Sequence, residues 1–535
     1  MIGTEAPGAS GPRTRTVLAL LLLAAAALNL AAARRAPGVS PDSCGYLSAA
    51  ENLAAGRGFV GSMTRWGETS DFHSGSASPP LFPAALAALR LAGLPVDAAA
   101  RLVEAVAFAL VVLGTAFLAG LLEARAAKGE SRPARAWVGP LGGALALASW
   151  PLLRVSTWIL ADAPFHALSV FAVHAFLLSG DEDASPAAAS RRLALASVLC
   201  ALAVLTRYAG VILWWILVLG CLGLGGARPR VPRSRALGAM ACALVPLLAW
   251  FLRNALVTGS VLYGEREVLL AGGPGLFADA LRGALSDLVP VPLPVLPALP
   301  SLPVSPAALV GLAAAAALAL LLLSGRVPLD AIRRRFRGAR GAGLLLWAWG
   351  LTVLGIPVAA TAFRATVERR YLAAALPFLI AAATAVVVPP AFATGPVPRP
   401  FRAAVLLLLA GSLTAGPVNA LAARPVGSLA APALLDRPSA AFLRDLDAPR
   451  FCTDSSAALW YVVRRPVRAL PPADRPDQVR LLAEGGFEGA LVVRRSAEAG
   501  ASRQATLGQL LDAGLLRRWE RVASFPECEV FLRRR

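Results

Sequence analysis

The chain has 535 residues, of which 57 % are hydrophobic and 16 % charged, and its mean hydropathy is +0.63. That composition excludes a soluble globular protein of this length. A formal net charge of +20 would suit a nucleic-acid binder, but the arginines stand in short clusters between apolar runs. A positive-inside membrane topology accounts for them, and nucleic acid is not a partner on this reading.

Apolar runs long enough to cross about 30 Å of hydrocarbon recur from Val17 to Val418. The predicted spans fall at 17–33, 98–122, 137–153, 158–178, 191–206, 208–225, 236–256, 305–324, 342–361, 371–389 and 402–418, about 11 in all. With the N-terminus inside, the basic loops 123–136, 226–235 and 325–340 all fall in the cytoplasm, as the charge rule requires. The odd count puts the C-terminal region outside together with the first loop, 34–97. No small-residue cleavage site precedes Arg34-Arg35, so the first span is read as retained.

Two segments depart from simple spans. Residues 191–225 are broken by Thr206-Arg207-Tyr208 and read as two helices meeting at the outer face, with one tilted helix as the alternative. The stretch 83–94 is too short to span, is interrupted by Gly93 and Pro95, and reads as an interfacial helix.

The composition changes near Ala420. Short helices are expected at Phe442–Leu446, Ala457–Val463 and 475–484. Strands are expected at Arg450–Thr453, Val467–Leu470, Gly489–Val493 and near 521–524 and 528–533. The predicted fold class is therefore an α-helical polytopic membrane protein, residues 1–420, with a small C-terminal extracytoplasmic α/β domain, residues 421–535. The latter holds no Gly-rich phosphate loop. Cys200, Cys221 and Cys242 fall in predicted spans as small apolar residues. Cys452 and Cys528 fall on outer strands, where a bridge and two free thiols are both open.

Chemistry is concentrated in a few ionisable groups. Placing one at membrane depth costs about 2.5–3.5 kcal/mol on insertion scales, so such groups persist where a cavity or partner receives them. Asp42, in Pro41-Asp42-Ser43, opens a helical pattern just outside the first span, and either caps that helix or serves a site. Asp162, in Leu160-Ala161-Asp162-Ala163-Pro164, is placed at the same outer face. Arg207, Arg253 and Arg369-Arg370-Tyr371 fall at outer ends of spans, where the charge rule disfavours arginine. An outer phosphate would explain them, since guanidinium matches its oxygens; contact with anionic lipid is the alternative. Glu68, Asp71 and His73 offer carboxylate and imidazole ligands for a divalent metal, or are simply a solvated loop.

The order of these motifs resembles the GT-C class of integral-membrane glycosyltransferases, such as protein mannosyltransferases and aminoarabinose transferases. Its carriers are Asp42-Ser-Cys-Gly-Tyr46 with Gly56-Arg-Gly58-Phe59, Pro79-Pro80-Leu81-Phe82-Pro83, Leu160-Ala-Asp162-Ala-Pro164-Phe165, Leu205-Thr-Arg207-Tyr208, Trp250-Phe-Leu-Arg253-Asn254 and Glu368-Arg-Arg370-Tyr371. The resemblance implies transfer of a sugar from a polyprenyl-phosphate carrier to a cell-envelope acceptor at the outer face of a bacterial cytoplasmic membrane, among membrane lipids. It implies Asp42 and Asp162 as catalytic carboxylates, and Tyr46, Arg207, Arg253, Arg369, Arg370 and Tyr371 as substrate-binding residues. Some relatives carry an acid and a lysine before the Pro-Pro-Leu element; here Ser76-Ala77-Ser78 stands there, which leaves a divalent metal cofactor open. A non-enzymatic transporter or flippase of lipid-linked sugars is the competing reading.

Overall fold

The structure, a computed structural model, describes residues 12–35, 38–64, 78–130, 133–258, 261, 329–346, 348, 350, 373–391, 405–406, 413, 437–453, 456–471, 475–484, 487–494, 507–526 and 528–534. They belong to two compact units. The first comprises the described parts of Met1–Arg35, Arg101–Leu252 and Gly264–Arg424; the second those of Ala36–Ala100, Arg253–Tyr263 and Pro425–Arg535.

In chain order the elements begin with α1 (Pro12–Arg35), α2 (Pro41–Ala54), β1 (Met63–Thr64), α3 (Leu81–Leu91) and α4 (Val96–Gly129). There follow α5 (Val138–Leu147), α6 (Trp150–Ser156), α7 (Asp162–Ser179), α8 (Pro186–Thr206), α9 (Gly210–Cys221), α10 (Arg233–Thr258), α11 (Leu329–Gly338) and α12 (Leu376–Val386). The remaining elements are α13 (Pro438–Asp445), β2 (Phe451–Thr453), α14 (Ser456–Val463), β3 (Val467–Ala469), α15 (Pro476–Ala483), β4 (Ala490–Arg494), α16 (Leu507–Asp512), β5 (Trp519–Ser524) and β6 (Cys528–Arg533).

Among the described residues five helices, α1, α4, α7, α8 and α10, are long and apolar enough to cross a membrane, and α5 with α6, bent by 58°, would make a sixth span. The molecule is a multi-pass membrane protein. Differences from the predicted spans have local causes. With 34 residues, α4 is about 51 Å long at 1.5 Å per residue, because no proline follows Pro95 until Pro133. Gly223, Gly225 and Gly226 adopt φ of 94°, 72° and 71°, conformations open to glycine, and stop α9 after 12 residues. The break at Arg207-Tyr208-Ala209 separates α8 from α9, so 186–221 is two helices. The predicted span 305–324, and most of 342–361 and 402–418, lie outside the described residues.

The first unit packs on small residues. A Cβ on Gly142 of α5 would lie 2.8 Å from the Ala119 side chain of α4, and one on Gly143 would lie 3.1 Å from that of Ala116. Glycine and alanine let the two backbones approach, as membrane helices require without a hydrophobic driving force between them. Leu118, Leu122, Phe176, Cys200 and Leu217 are buried in the largest core cluster.

The second unit is built on one six-stranded sheet in the order β1-β3-β2-β4-β6-β5. The first four strands are parallel and the last two are antiparallel additions. Leu482, Phe487, Leu491, Val493, Trp519 and Phe531 form its core. The sheet corrects one open pairing. Cys452 lies on β2 and Cys528 on β6, with β4 between them, so about two strand spacings, roughly 10 Å, separate the strands. That exceeds disulfide reach, and both residues are buried and outside any disulfide.

Candidate functional site

In the first unit the chemistry gathers at the start of α7. Residues Thr157–Ala161 are non-helical and buried except for half-buried Trp158. Each turn of this connection is held by a polar side chain from another helix. Asn29 of α1 donates to the Ser156 carbonyl at 3.0 Å and to its Oγ at 2.8 Å. Arg101 of α4 donates to the Thr157 carbonyl at 2.5 Å. Glu104, one turn on, accepts from the Leu160 N–H at 3.1 Å. Arg207, just past the end of α8, forms an ion pair with Asp162.

Asp162 is 2 % exposed. Its position in the first turn of α7 is electrostatically favourable, because the helix N-terminus carries partial positive charge. One carboxylate oxygen takes Arg207; Oδ2 has no hydrogen-bond partner among the described residues, nor does Nε2 of buried His166 one turn on. Both residues line a cavity of about 30 Å³, with Ser169, Arg207, Ile212 and Phe378 among its walls. That is room for a water-sized group. Chemically, the arrangement offers a fixed carboxylate, a guanidinium beside it and a water-sized recess for a hydroxyl.

Arg207 is placed by the same break that the sequence suggested. Its backbone is extended, φ −146° and ψ 136°, which ends α8 and turns the side chain out of the helical path. Next to it Tyr208 accepts a hydrogen bond from Trp250 Nε1 at 3.2 Å, and its ring stands 5.5 Å from Phe251. The run Trp250-Phe251 is thus a packing support for the α8–α9 break.

In the second unit, Asp42 sits on the first turn of α2 and is exposed. It does not cap the helix. Ser40 does, accepting from Ser43 N at 3.2 Å, while Ser43 Oγ accepts from Ser40 N at 2.9 Å in a reciprocal capping box. Capping therefore does not account for Asp42. Tyr46 lies edge-on to Phe82 of α3, ring centres 5.2 Å apart. Gly56 and Gly58 adopt φ of 75° and 80°, turning the chain back so that β1 can form. Asn52 then ties that return by donating to the Val60 carbonyl at 3.0 Å and Ser62 Oγ at 2.8 Å.

An unforeseen cation stands in the same unit. Arg464, after α14, has φ of 53°, a left-handed conformation that costs a non-glycine residue about 1–2 kcal/mol. It is held there by Glu51 at 3.2 Å and Asp97 at 2.8 Å, and lies 4.7 Å from the ring centres of both Trp460 and Tyr461. Burial raises the Glu51 carboxyl above its ordinary range, opposed by Arg464.

The other residues singled out in the sequence divide as follows. Arg253 is in the second unit and donates to Asn254 Oδ1 at 3.1 Å. Arg369, Arg370 and Tyr371, and the metal candidates Glu68, Asp71 and His73, lie outside the described residues. Among the described residues no group of three or more His, Cys, Asp or Glu is placed to hold a metal ion. Asn29, Arg101 and Glu104 escaped the sequence reading. Their signal was present, since a lone amide or carboxylate within an apolar run marks a satisfied or functional site.

No family model matches the sequence, and no characterised protein matches it at the level of sequence. Solved structures do match in fold. ArnT from Cupriavidus metallidurans in the apo state is similar over 97 % of this chain and 98 % of its own, with 15 % identity and a TM-score of 0.60. The same protein bound to undecaprenyl phosphate gives 0.59 at 15 % identity, over 98 % of both chains. The archaeal oligosaccharyltransferase AglB from Archaeoglobus fulgidus, in complex with an inhibitory peptide and a dolichol-phosphate, gives 0.55 at 12 % identity over 90 % of this chain and 69 % of its own. Over most of its length the chain shares the fold of ArnT and AglB, both GT-C glycosyltransferases.

Proposed function

We propose that the protein is a membrane glycosyltransferase that moves a sugar from a polyprenyl-phosphate carrier to an acceptor at the outer face of a bacterial cytoplasmic membrane. The observation that carries this reading is the likeness to ArnT along both chains, one of whose structures holds undecaprenyl phosphate. The Asp162–Arg207 pair is compatible with it, because a buried carboxylate fixed beside a recess can hold a substrate hydroxyl.

In the proposed reaction the acceptor hydroxyl oxygen attacks the anomeric carbon, the bond from that carbon to the phosphate oxygen breaks, and polyprenyl phosphate leaves with the bonding pair. The configuration inverts. Asp42 takes the acceptor proton as general base or orients the hydroxyl, a contribution of about 10²–10⁴-fold. Asp162 holds Arg207 and receives a substrate hydroxyl on Oδ2. The positive charge of Arg207 stabilises the leaving phosphate, where negative charge grows as the bond breaks. Tyr46, Arg253, Arg369, Arg370 and Tyr371 complete substrate binding, and the region after 421 faces outward with the first loop.

The deciding experiment incubates the purified protein in lipid with a panel of labelled polyprenyl-phosphate sugars, alongside Asp42→Asn. Donor consumption by the wild type and not by the variant is expected. Donor binding without consumption, with any acceptor supplied, would favour the carrier reading; a cytoplasmic reporter signal after Arg535 would overturn the orientation.

A further inference from the structure

Away from the Asp162 site, the first unit contains an open crevice of about 670 Å³, lined by Gly225, Gly226, Phe336, Arg337, Arg340 and Leu346 among others. Its size suits a ligand, and its walls are of three kinds. One is bare backbone. Gly225 and Gly343 approach so closely that a Cβ on Gly225 would fall 2.5 Å from the Leu344 nitrogen, so glycine is required there. The second is cationic. Arg337 is exposed and has no hydrogen bond or ion pair among the described residues, while Arg340 uses one guanidinium nitrogen on Glu182 and retains others. The third is apolar: Phe336 and Leu346 are 37 % and 38 % exposed.

The acidic groups close by are already matched. Arg125 holds Asp181 at 2.6 Å, and Lys128 holds Asp183 at 3.1 Å. The crevice therefore keeps a positive surplus. It lies where α9 has ended and before α10 begins, hence at a membrane face, with Arg228, Arg230, Arg233 and Arg235 in the same connection or the first turn after it. Cation next to exposed apolar side chains at helix ends is the chemistry of a lipid headgroup with its acyl chains, rather than of a free anion.

We propose that this crevice binds the phosphate headgroup of an anionic membrane phospholipid, with Arg337 and Arg340 as its cationic contacts and Phe336 and Leu346 against the acyl chains. The site is separate from the Asp162 site and holds whether or not the protein is a transferase.

The test is native mass spectrometry of the full purified chain with phosphatidylglycerol, phosphatidylcholine or inorganic phosphate added. Phosphatidylglycerol should be retained in preference to phosphatidylcholine, and Arg337→Gln should weaken that retention about fivefold, as expected for one arginine at a lipid surface. Arg340→Gln should act in the same direction. Arg337 has no partner to lose among the described residues, so its variant should fold, and an unchanged thermal midpoint checks this. Equal retention of both lipids, or retention indifferent to Arg337→Gln, would overturn the proposal. Displacement of phosphatidylglycerol by inorganic phosphate at comparable concentration would reassign the crevice to a free anion.

Discussion

Glu104 accepts the backbone N–H of Leu160 at 3.1 Å from within the apolar stretch of α4, and it is fully buried. The bond fixes the segment that delivers Asp162. Glu104→Ala would leave a buried donor unsatisfied, a loss of about 1–3 kcal/mol, and should lower activity by misplacing Asp162. Glu104→Gln keeps an acceptor and should cost much less. Thermal unfolding in detergent and donor turnover, read together, check the pair; equal damage from both variants would mean that the carboxylate's charge matters, not its hydrogen bond.

Asp162 and Arg207 should prove coupled. Removing the Arg207 charge leaves the buried Asp162 carboxylate without its cation, a loss of up to about 3–5 kcal/mol. Asp162→Asn and Arg207→Gln are each expected to destabilise, and the double variant to fall short of their sum. A double-mutant cycle on unfolding free energies provides the measurement, and additivity would contradict the pairing.

Glu51 gives a pH signature. Its carboxyl is raised from an ordinary value of 4.5 by burial, against the pull of Arg464. A raised carboxyl holds its proton more readily in the folded state, so its stabilising contribution is fullest below the unfolded value and fades as pH rises through the folded one. Glu51→Gln does not titrate. Its stability relative to the wild type should therefore climb from acid to neutral pH, followed as the difference in thermal midpoints. A falling difference would mean that Arg464 outweighs burial.

None of the six cysteines is in a disulfide. Alkylation of the denatured, unreduced protein should label every one, counted by mass; two fewer labels would reveal a bridge. In the folded protein Cys44 should resist maleimide at neutral pH, because burial pushes its thiol up to about 12, leaving little thiolate.

How far the sequence reached depended on whether the signal was local. The strands at 451–453, 467–469, 490–494 and 528–533 lie where short apolar runs between turn residues placed them. The break at Arg207 was legible because Thr-Arg-Tyr interrupts an apolar run. Both Asp162 and Arg207 could be singled out as charges out of place, yet their pairing spans 45 positions and no periodicity encodes it. Asp42 was ambiguous because Pro-Asp-Ser resembles a cap; Ser40, two residues earlier, proves to hold that role. Glu104 was passed over because α4 reads as an unbroken span and one carboxylate hardly changes its hydropathy. The two-residue strand β1 was invisible for the opposite reason: it is too short to alternate and exists only through its neighbour.

That strand has a bearing on how the protein is made. Met63 pairs with Val467, and Thr64 with Arg468, so an early loop supplies the edge of a sheet whose other strands are about 400 residues later in translation. At roughly 5–20 residues per second the ribosome needs about 20–80 s to deliver that partner. During this interval the newly translated loop exposes an unsatisfied strand edge, a recognised invitation to mispairing. The two-residue length of β1 keeps that exposed edge short, and the capping box and the Asn52 bonds to Val60 and Ser62 can form locally, giving biogenesis a folded α2 on which to wait.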